Sequence, residues 1–357
     1  MTRRTVERAV PAGRTPMVGV GSRVRAVSLM VIGVTLVAVV VGCGSSSSSP
    51  SVATTVPQTA PSAPPGTAVP AGTVVPASAG RGLVVDARTR QVAALDAAGR
   101  SVEVYSAAAQ PVRIRTVVLN TPAAAIADLG DGRVGAIGEG VLARIDLATG
   151  AVLEQRVPVS RPLSIAYTSA GTVLVGTADG TIVDLGPDGA ARHRITGLVR
   201  VDAIAVWRRA GKKDQVVALD RAQSAVTMVD VDKSDLGVAL RVGDGATTLT
   251  VDRFGRFLSS DTRDDQVVVF AGDPLVSRIR YPVAPGPYAV GFDDTRGLMW
   301  VVANGANQAI AYDLSTGIPV EKRRVATVGQ ADSLVVDSSS GLVFVLSSRG
   351  EGLQAIS

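Results

Sequence analysis

The chain has 357 residues, 46% of them apolar but only 3% aromatic, which excludes a wholly disordered chain and requires a core built from many thin Ala/Val layers. One cysteine and one histidine exclude an internal disulfide and a Cys/His zinc site. The formal charge of +5 resides in residues 1–42, where six arginines face Glu7; the rest carries equal numbers of acids and bases, so no nucleic-acid partner is expected.

The first element is a leader. After Arg25 comes an apolar run over residues 26–41, short for a membrane span and broken by Ser28, Gly33 and Thr35. A basic flank, an apolar segment and small residues make the pattern of a secretory signal. Met17 is the expected start, because the basic region before the run is long. The run ends Val40-Val41-Gly42-Cys43, which resembles the lipobox of bacterial lipoproteins. That resemblance implies cleavage before Cys43, acylation of its sulfur, and a cell-membrane anchor on the extracytoplasmic face through more than one acyl chain. The other reading is an uncleaved signal anchor with an incidental cysteine.

Residues 43–80 form the second element. From Gly44 to Gly80 no residue is charged; Ser45 to Ser49 open the stretch, and seven prolines interrupt it. Such a segment buries no core and is expected to be a disordered tether, with Ser, Thr and Pro suited to O-glycosylation.

Residues 81–357 repeat. Leu83-Val-Val-Asp86, Tyr288-Ala-Val-Gly-Phe-Asp293 and Leu334-Val-Val-Asp337 each open a set of short apolar strands separated by Gly, Asp, Asn or Ser turns. The last positions of the first strands fall at Asp86, Asp128, Tyr167, Trp207, Asp252, Asp293 and Asp337. The spacing is about 40–45 residues, the period of a four-stranded propeller blade. Fourth strands are expected over residues 112–118, 152–157, 191–195, 237–242, 275–280 and 319–325. The seventh unit stops after three strands, and an open outer edge invites association. Thr73-Val74-Val75 is expected to supply the missing strand. The fold class is therefore all-β, a seven-bladed β-propeller of four-stranded blades behind a signal peptide and a tether.

Val141-Leu-Ala-Arg-Ile-Asp-Leu-Ala-Thr-Gly150 and Gln308-Ala-Ile-Ala-Tyr-Asp-Leu-Ser-Thr-Gly317 resemble the strand–turn repeat of YVTN-type propellers, as does Trp300-Val-Val-Ala-Asn304. WD40 signatures are absent. With lipobox and tether added, the chain resembles a mycobacterial-type (actinobacterial) envelope lipoprotein of the LppL kind.

Propeller topology places the between-blade connections and the second-to-third-strand loops on one face, around the channel mouth. Arg161, Asp179, Asp202, Arg221, Asp264, Tyr288, Asn304, Asn307, Asp332 and Arg349 are expected on that rim, as possible contacts for a ligand or partner. Ordinary turn residues and solvated charges are the competing reading. No catalytic residue, cofactor or metal is assigned. His193 falls on an outer strand, leaving a Ser-His-Asp triad without a base, and no G-x-S-x-G occurs. Adjacent carboxylates such as Asp264-Asp265 point apart, against glycoside hydrolysis. Trp207-Arg208-Arg209-Ala-Gly-Lys212-Lys213 is either a contact for anionic headgroups or a solvated hairpin. A monomeric, membrane-anchored binding or assembly platform with an envelope protein or glycan partner, without catalysis, is the expected function. A propeller hydrolase or lactonase acting on an envelope sugar is the alternative.

Overall fold

The computed structural model describes residues 53–283 and 285–357. The leader, the lipobox and Cys43 lie outside the described residues. Among the described residues no helix is long and apolar enough to cross a membrane.

Chain order begins with β1 (Thr73–Val75). Blade one follows with β2 (Gly80–Asp86), β3 (Gln91–Asp96), β4 (Ser101–Ser106) and β5 (Arg113–Val118). Blade two is β6 (Ala123–Gly130), β7 (Arg133–Gly138), β8 (Val141–Asp146) and β9 (Val152–Arg156). Blade three is β10 (Pro162–Tyr167), β11 (Val173–Thr177), β12 (Ile182–Leu185) and β13 (Ala191–Ile195). Blade four is β14 (Ala203–Trp207), β15 (Gln215–Asp220), β16 (Ala225–Asp230) and β17 (Asp235–Arg241). Blade five is β18 (Ala246–Val251), β19 (Phe257–Asp261), β20 (Gln266–Ala271) and β21 (Val276–Pro282). Blade six is β22 (Pro287–Asp293), β23 (Leu298–Ala303), β24 (Gln308–Asp313) and β25 (Val320–Ala326), with one 3-10 turn at Asn304–Ala306. Blade seven is β26 (Ala331–Asp337), β27 (Leu342–Ser347) and β28 (Leu353–Ile356), completed by β1.

Each blade is an antiparallel four-stranded sheet, and the first strands touch one another in succession, β26 meeting β2, so the seven sheets form a propeller. The position within a blade dictates composition. Second strands such as β15 and β27 are buried throughout because neighbouring blades cover both their faces, and they read as unbroken apolar runs rather than alternations. Outer strands such as β9 and β25 are mostly exposed and carry the charges. Between adjacent sheets the core is Val, Ala, Leu and Ile, for example Ala93, Val104, Val134 and Ile145 between blades one and two. The largest fully buried side chains are Tyr105, Phe257, Phe270 and Phe344, which fill the wider gaps between sheets.

The repeated aspartate is a turn cap. Asp86 accepts hydrogen bonds from the N–H and hydroxyl of Thr89, both at 2.6 Å, and from Gly132 N–H of blade two at 3.2 Å. Asp252, Asp293 and Asp337 cap the same turn in blades five, six and seven through the N–H groups of Phe254, Thr295 and Ser339. The Asp-x-x-Thr-Gly turn of blade two works likewise. Asp146 accepts from Thr149 N–H at 2.8 Å, and Gly150 takes φ +79°, a conformation that favours glycine.

Ring closure follows the sequence expectation. β1 pairs with β28, Thr73 opposite Ala355 and Val75 opposite Leu353. Buried Gln354 clasps the junction: its amide donates to the carbonyls of Ala71 (2.7 Å) and Ala326 (3.0 Å) and accepts from Val328 N–H (2.9 Å). Gly72 sits at φ +73°, where any side chain would run into the Ala355 carbonyl. Glu103 fixes the next stretch, accepting from Ser78 N–H (3.0 Å), the Tyr105 hydroxyl (2.7 Å) and the Arg113 guanidinium (3.1 Å). Burial opposes its ionisation, but those bonds outweigh burial and hold its carboxyl below the usual glutamate range.

The described part of the tether departs from the expectation of a free coil. Residues 53–72 have no regular secondary structure, yet they lie hydrogen-bonded on the propeller. A charge-free Pro/Ala segment buries little area, so side-chain donors of the ring hold it instead.

Candidate functional site

Between-blade connections and second-to-third-strand loops do meet on one face. Several carboxylates there tie those loops together. Glu139 accepts from Arg161 N–H at 2.8 Å, Asp264 from Asp244 N–H at 3.1 Å, Asp265 from Gly286 N–H at 2.7 Å and Glu351 from Gly329 N–H at 2.7 Å. Asp264 and Asp265 thus serve different connections and point apart. Asp261, fully buried beneath Asp264, has its pKa raised by burial and by that neighbouring carboxyl.

The expected rim residues divide into two groups. In blades two and three, Arg161 pairs with Asp179 at 3.3 Å in an exposed contact. Thr177 hydroxyl donates to Asp179 and, with the Arg161 charge, keeps its carboxyl below the usual range. In blades four to seven the residues converge. Asp202 binds the Arg200 guanidinium at 2.7 Å and accepts from Arg221 N–H at 3.0 Å. Asp332 accepts from Asn304 Nδ2 (2.6 Å), Gln330 Nε2 (3.0 Å) and Ser348 hydroxyl (2.7 Å). Tyr288 lies among Arg221, Asp332 and Asp202. Burial raises its pKa, the Arg221 guanidinium opposes the shift, and the two carboxylates reinforce it. Tyr288 and Asp332 sit in the first residues of β22 and β26 rather than in loops.

Tether residues 53–65 lie across this second group. Thr55 N–H donates to Ala222 carbonyl at 2.7 Å, and Arg221 donates to Gln58 carbonyl. Gln330 uses both ends of its amide, donating to Pro61 carbonyl and accepting from Ala63 N–H, each at 3.0 Å. Asn307 donates to Pro64 carbonyl at 2.8 Å, and Arg349 reaches Ala63 carbonyl at 3.3 Å and Ser62 hydroxyl at 2.7 Å. Arg263 holds the Gln58 side chain at 3.1 Å. Sequence reasoning brought Arg221, Asn307 and Arg349 to this face but missed Gln330 and Gly286. Neither residue carries a motif; Gln330 is marked only by a left-handed backbone, φ +51°.

Elsewhere the charged features are self-contained. His193, on outer strand β13, contacts Ser234 hydroxyl at 3.0 Å. In the basic cluster, Lys213 pairs with Asp230 and Asp232, Arg208 stacks on Tyr167, and Arg209 stacks on Trp207. Lys213 is thereby neutralised, whereas Arg208 and Arg209 keep their charge over the aromatic rings. Among the described residues no group of three or more His, Cys, Asp or Glu is arranged to hold a metal ion.

Together these observations define a seven-bladed β-propeller with polar loops gathered on one face. No protein-family model matches the chain, and no curated protein matches it. Among solved structures, a chain of Kuenenia stuttgartiensis hydrazine synthase is similar at TM-score 0.65 and 12% identity, covering 80% of this chain and 97% of that one. Likeness at that identity concerns the propeller architecture alone.

Proposed function

We propose that the chain is a lipid-anchored, extracytoplasmic propeller whose channel-mouth rim is a binding or assembly platform for an envelope partner. The observation that carries this reading is the rim of blades four to seven, where Arg221, Arg263, Asn307, Gln330 and Arg349 donate outward to polypeptide rather than to one another. Rigid rings that present loop donors over a broad face are suited to recognition. The anchor rests on the lipobox at Cys43, and the resemblance to LppL-type lipoproteins rests on that motif and the tether.

A hydrolase or lactonase needs a carboxylate free to act as acid, base or nucleophile. Asp202, Asp332, Asp264 and Asp265 are each committed to guanidinium, amide or backbone donors, which favours the platform. Cross-linking and capture from membranes, with the tether intact, tests the proposal. A reproducible protein partner is expected; absence of one, together with a sugar that raises the melting temperature, would overturn it. Mass spectrometry of the exported protein should find a diacylglycerol-modified N-terminal Cys43, and an intact leader would remove the anchor.

A further inference from the structure

Within residues 53–65, burial over 57–63 has a period of three. Pro57 and Gln58, then Ala60 and Pro61, then Ala63 are half-buried or buried, while Thr59 and Ser62 are exposed. Three residues per turn is the period of the polyproline II helix, which has no internal hydrogen bonds and leaves its carbonyls free to accept. The ring answers with donors: Arg221, Gln330, Arg349 and Asn307 take the carbonyls of Gln58, Pro61, Ala63 and Pro64. Pro61 has a dedicated seat. Gly286 lies beneath it at φ +67°, and a β-carbon there would come 2.5 Å from Pro61 Cγ. Apart from the side chains of Thr55, Gln58 and Ser62 and the ring of Pro61, the hydrogen-bonded contacts read main chain, so most of the groove does not depend on side-chain identity.

The resident segment also leaves the groove unsatisfied. Asn304 Oδ1, Asn307 Oδ1 and Thr327 Oγ1 are buried without a hydrogen-bond partner, and so is Arg221 Nε. Asn307 and Thr327 border a cavity of about 150 Å³ beside Pro64, Pro65 and Gly66. Two consecutive prolines bring no N–H to that place, so the acceptor on Asn307 finds nothing to accept from.

We propose that the groove across blades four to seven is an acceptor site for an extended, proline-containing segment of another protein, and that residues 53–65 occupy it in cis as a displaceable competitor. The proposal rests on the platform reading and names the chemistry of its partner. A foreign segment fits better than a second copy of this chain. The resident segment acts at an effective concentration of roughly millimolar, so an identical segment in trans gains nothing over it. One that places an N–H near Asn307 where this chain has Pro64-Pro65 does gain.

The test uses the full chain and a fluorescent peptide with the sequence of residues 53–68, read by anisotropy. The unaltered chain should bind it weakly. Pro61→Asp within the chain's own segment should tighten binding at least about tenfold by vacating the groove. Adding Gln330→Ala, or Arg349→Ala should the first variant not fold, should abolish that gain. A peptide with alanine in place of Pro64 and Pro65 should bind more tightly than the natural one. Equal affinity for the unaltered and Pro61→Asp chains, or no effect of either donor substitution in a protein of normal melting profile, would overturn the proposal. So would concentration-dependent dimers that the peptide dissolves, since the occupant would then be a second copy. Membrane capture separates this proposal from the platform itself. A partner captured equally with and without excess peptide leaves the platform and removes the groove. Peptide binding with no captured partner does the reverse.

Discussion

Two regions of the rim use arginine and aspartate to opposite ends. In blades two and three, Arg161 turns to Asp179 and the loops satisfy themselves at the surface. In blades four to seven the arginines and amides turn outward, and the chain's own tether lies on them. Composition separates the halves only in part, since both are built from Arg and Asp, whereas the amides Asn304, Asn307 and Gln330 belong to the second alone. The difference is whether each guanidinium finds a carboxylate nearby: Asp202 and Asp332 are already claimed by Arg200 and by Asn304, Gln330 and Ser348. Donors left over on a rigid ring are what an extended chain can bind.

That contrast is broken most severely at the point where the covering segment joins the ring. Gly72→Val should prevent β1 from seating, destabilise the domain by roughly 3 kcal/mol and lower its melting temperature by roughly 5–10 °C. It should also expose residues 53–66 to proteolysis, making the covered half resemble the open one. A melting curve and cleavage pattern unchanged from the parent would contradict this. A chain beginning at Thr67 should melt close to the parent, whereas one beginning at Gly82, which also lacks Ser78 and the start of β2, should melt at or below Gly72→Val.

Next in size is Glu103, which fixes Ser78 between β1 and β2. Glu103→Gln should cost about 1–3 kcal/mol, read by denaturant titration at pH 7. The pH dependence follows from a folded pKa below the ordinary 4.5. Stability from this carboxylate is present above the unfolded value and is lost as pH falls through the folded one. Glu103→Gln should therefore flatten the acid limb below about pH 4.5; an unaltered acid limb would show that another carboxylate sets it.

The two halves are then compared directly. Gln330→Ala leaves buried carbonyl and N–H partners of the covering segment unpaired and should cost about 1 kcal/mol, with faster hydrogen exchange at Ala63. Arg161→Ala removes an exposed pair and should change stability by no more than about 0.5 kcal/mol. If the two substitutions cost the same and exchange at Ala63 does not change, the covering segment is not held by its donors.

The blades were legible in the sequence because their signals are local. A first strand ending in aspartate, the cap it provides, and the apolar second strand all lie within one repeat, so blades one, five, six and seven report the same turn. Even Thr73-Val74-Val75 was readable, because counting strands shows one missing. The groove was not. Gln330 and Pro61 are 269 residues apart, and a polyproline-type segment carries no apolar periodicity to betray a docked face.

By itself, then, the sequence determined the propeller, its blade period and its closing strand, since each follows from residue types a few positions apart. Tertiary structure alone decided which rim carboxylates tie loops, which donors remain free and where residues 53–65 lie. Those depend on hydrogen-bond partners supplied by other blades, and a hydrogen bond requires both groups to arrive at one point in space.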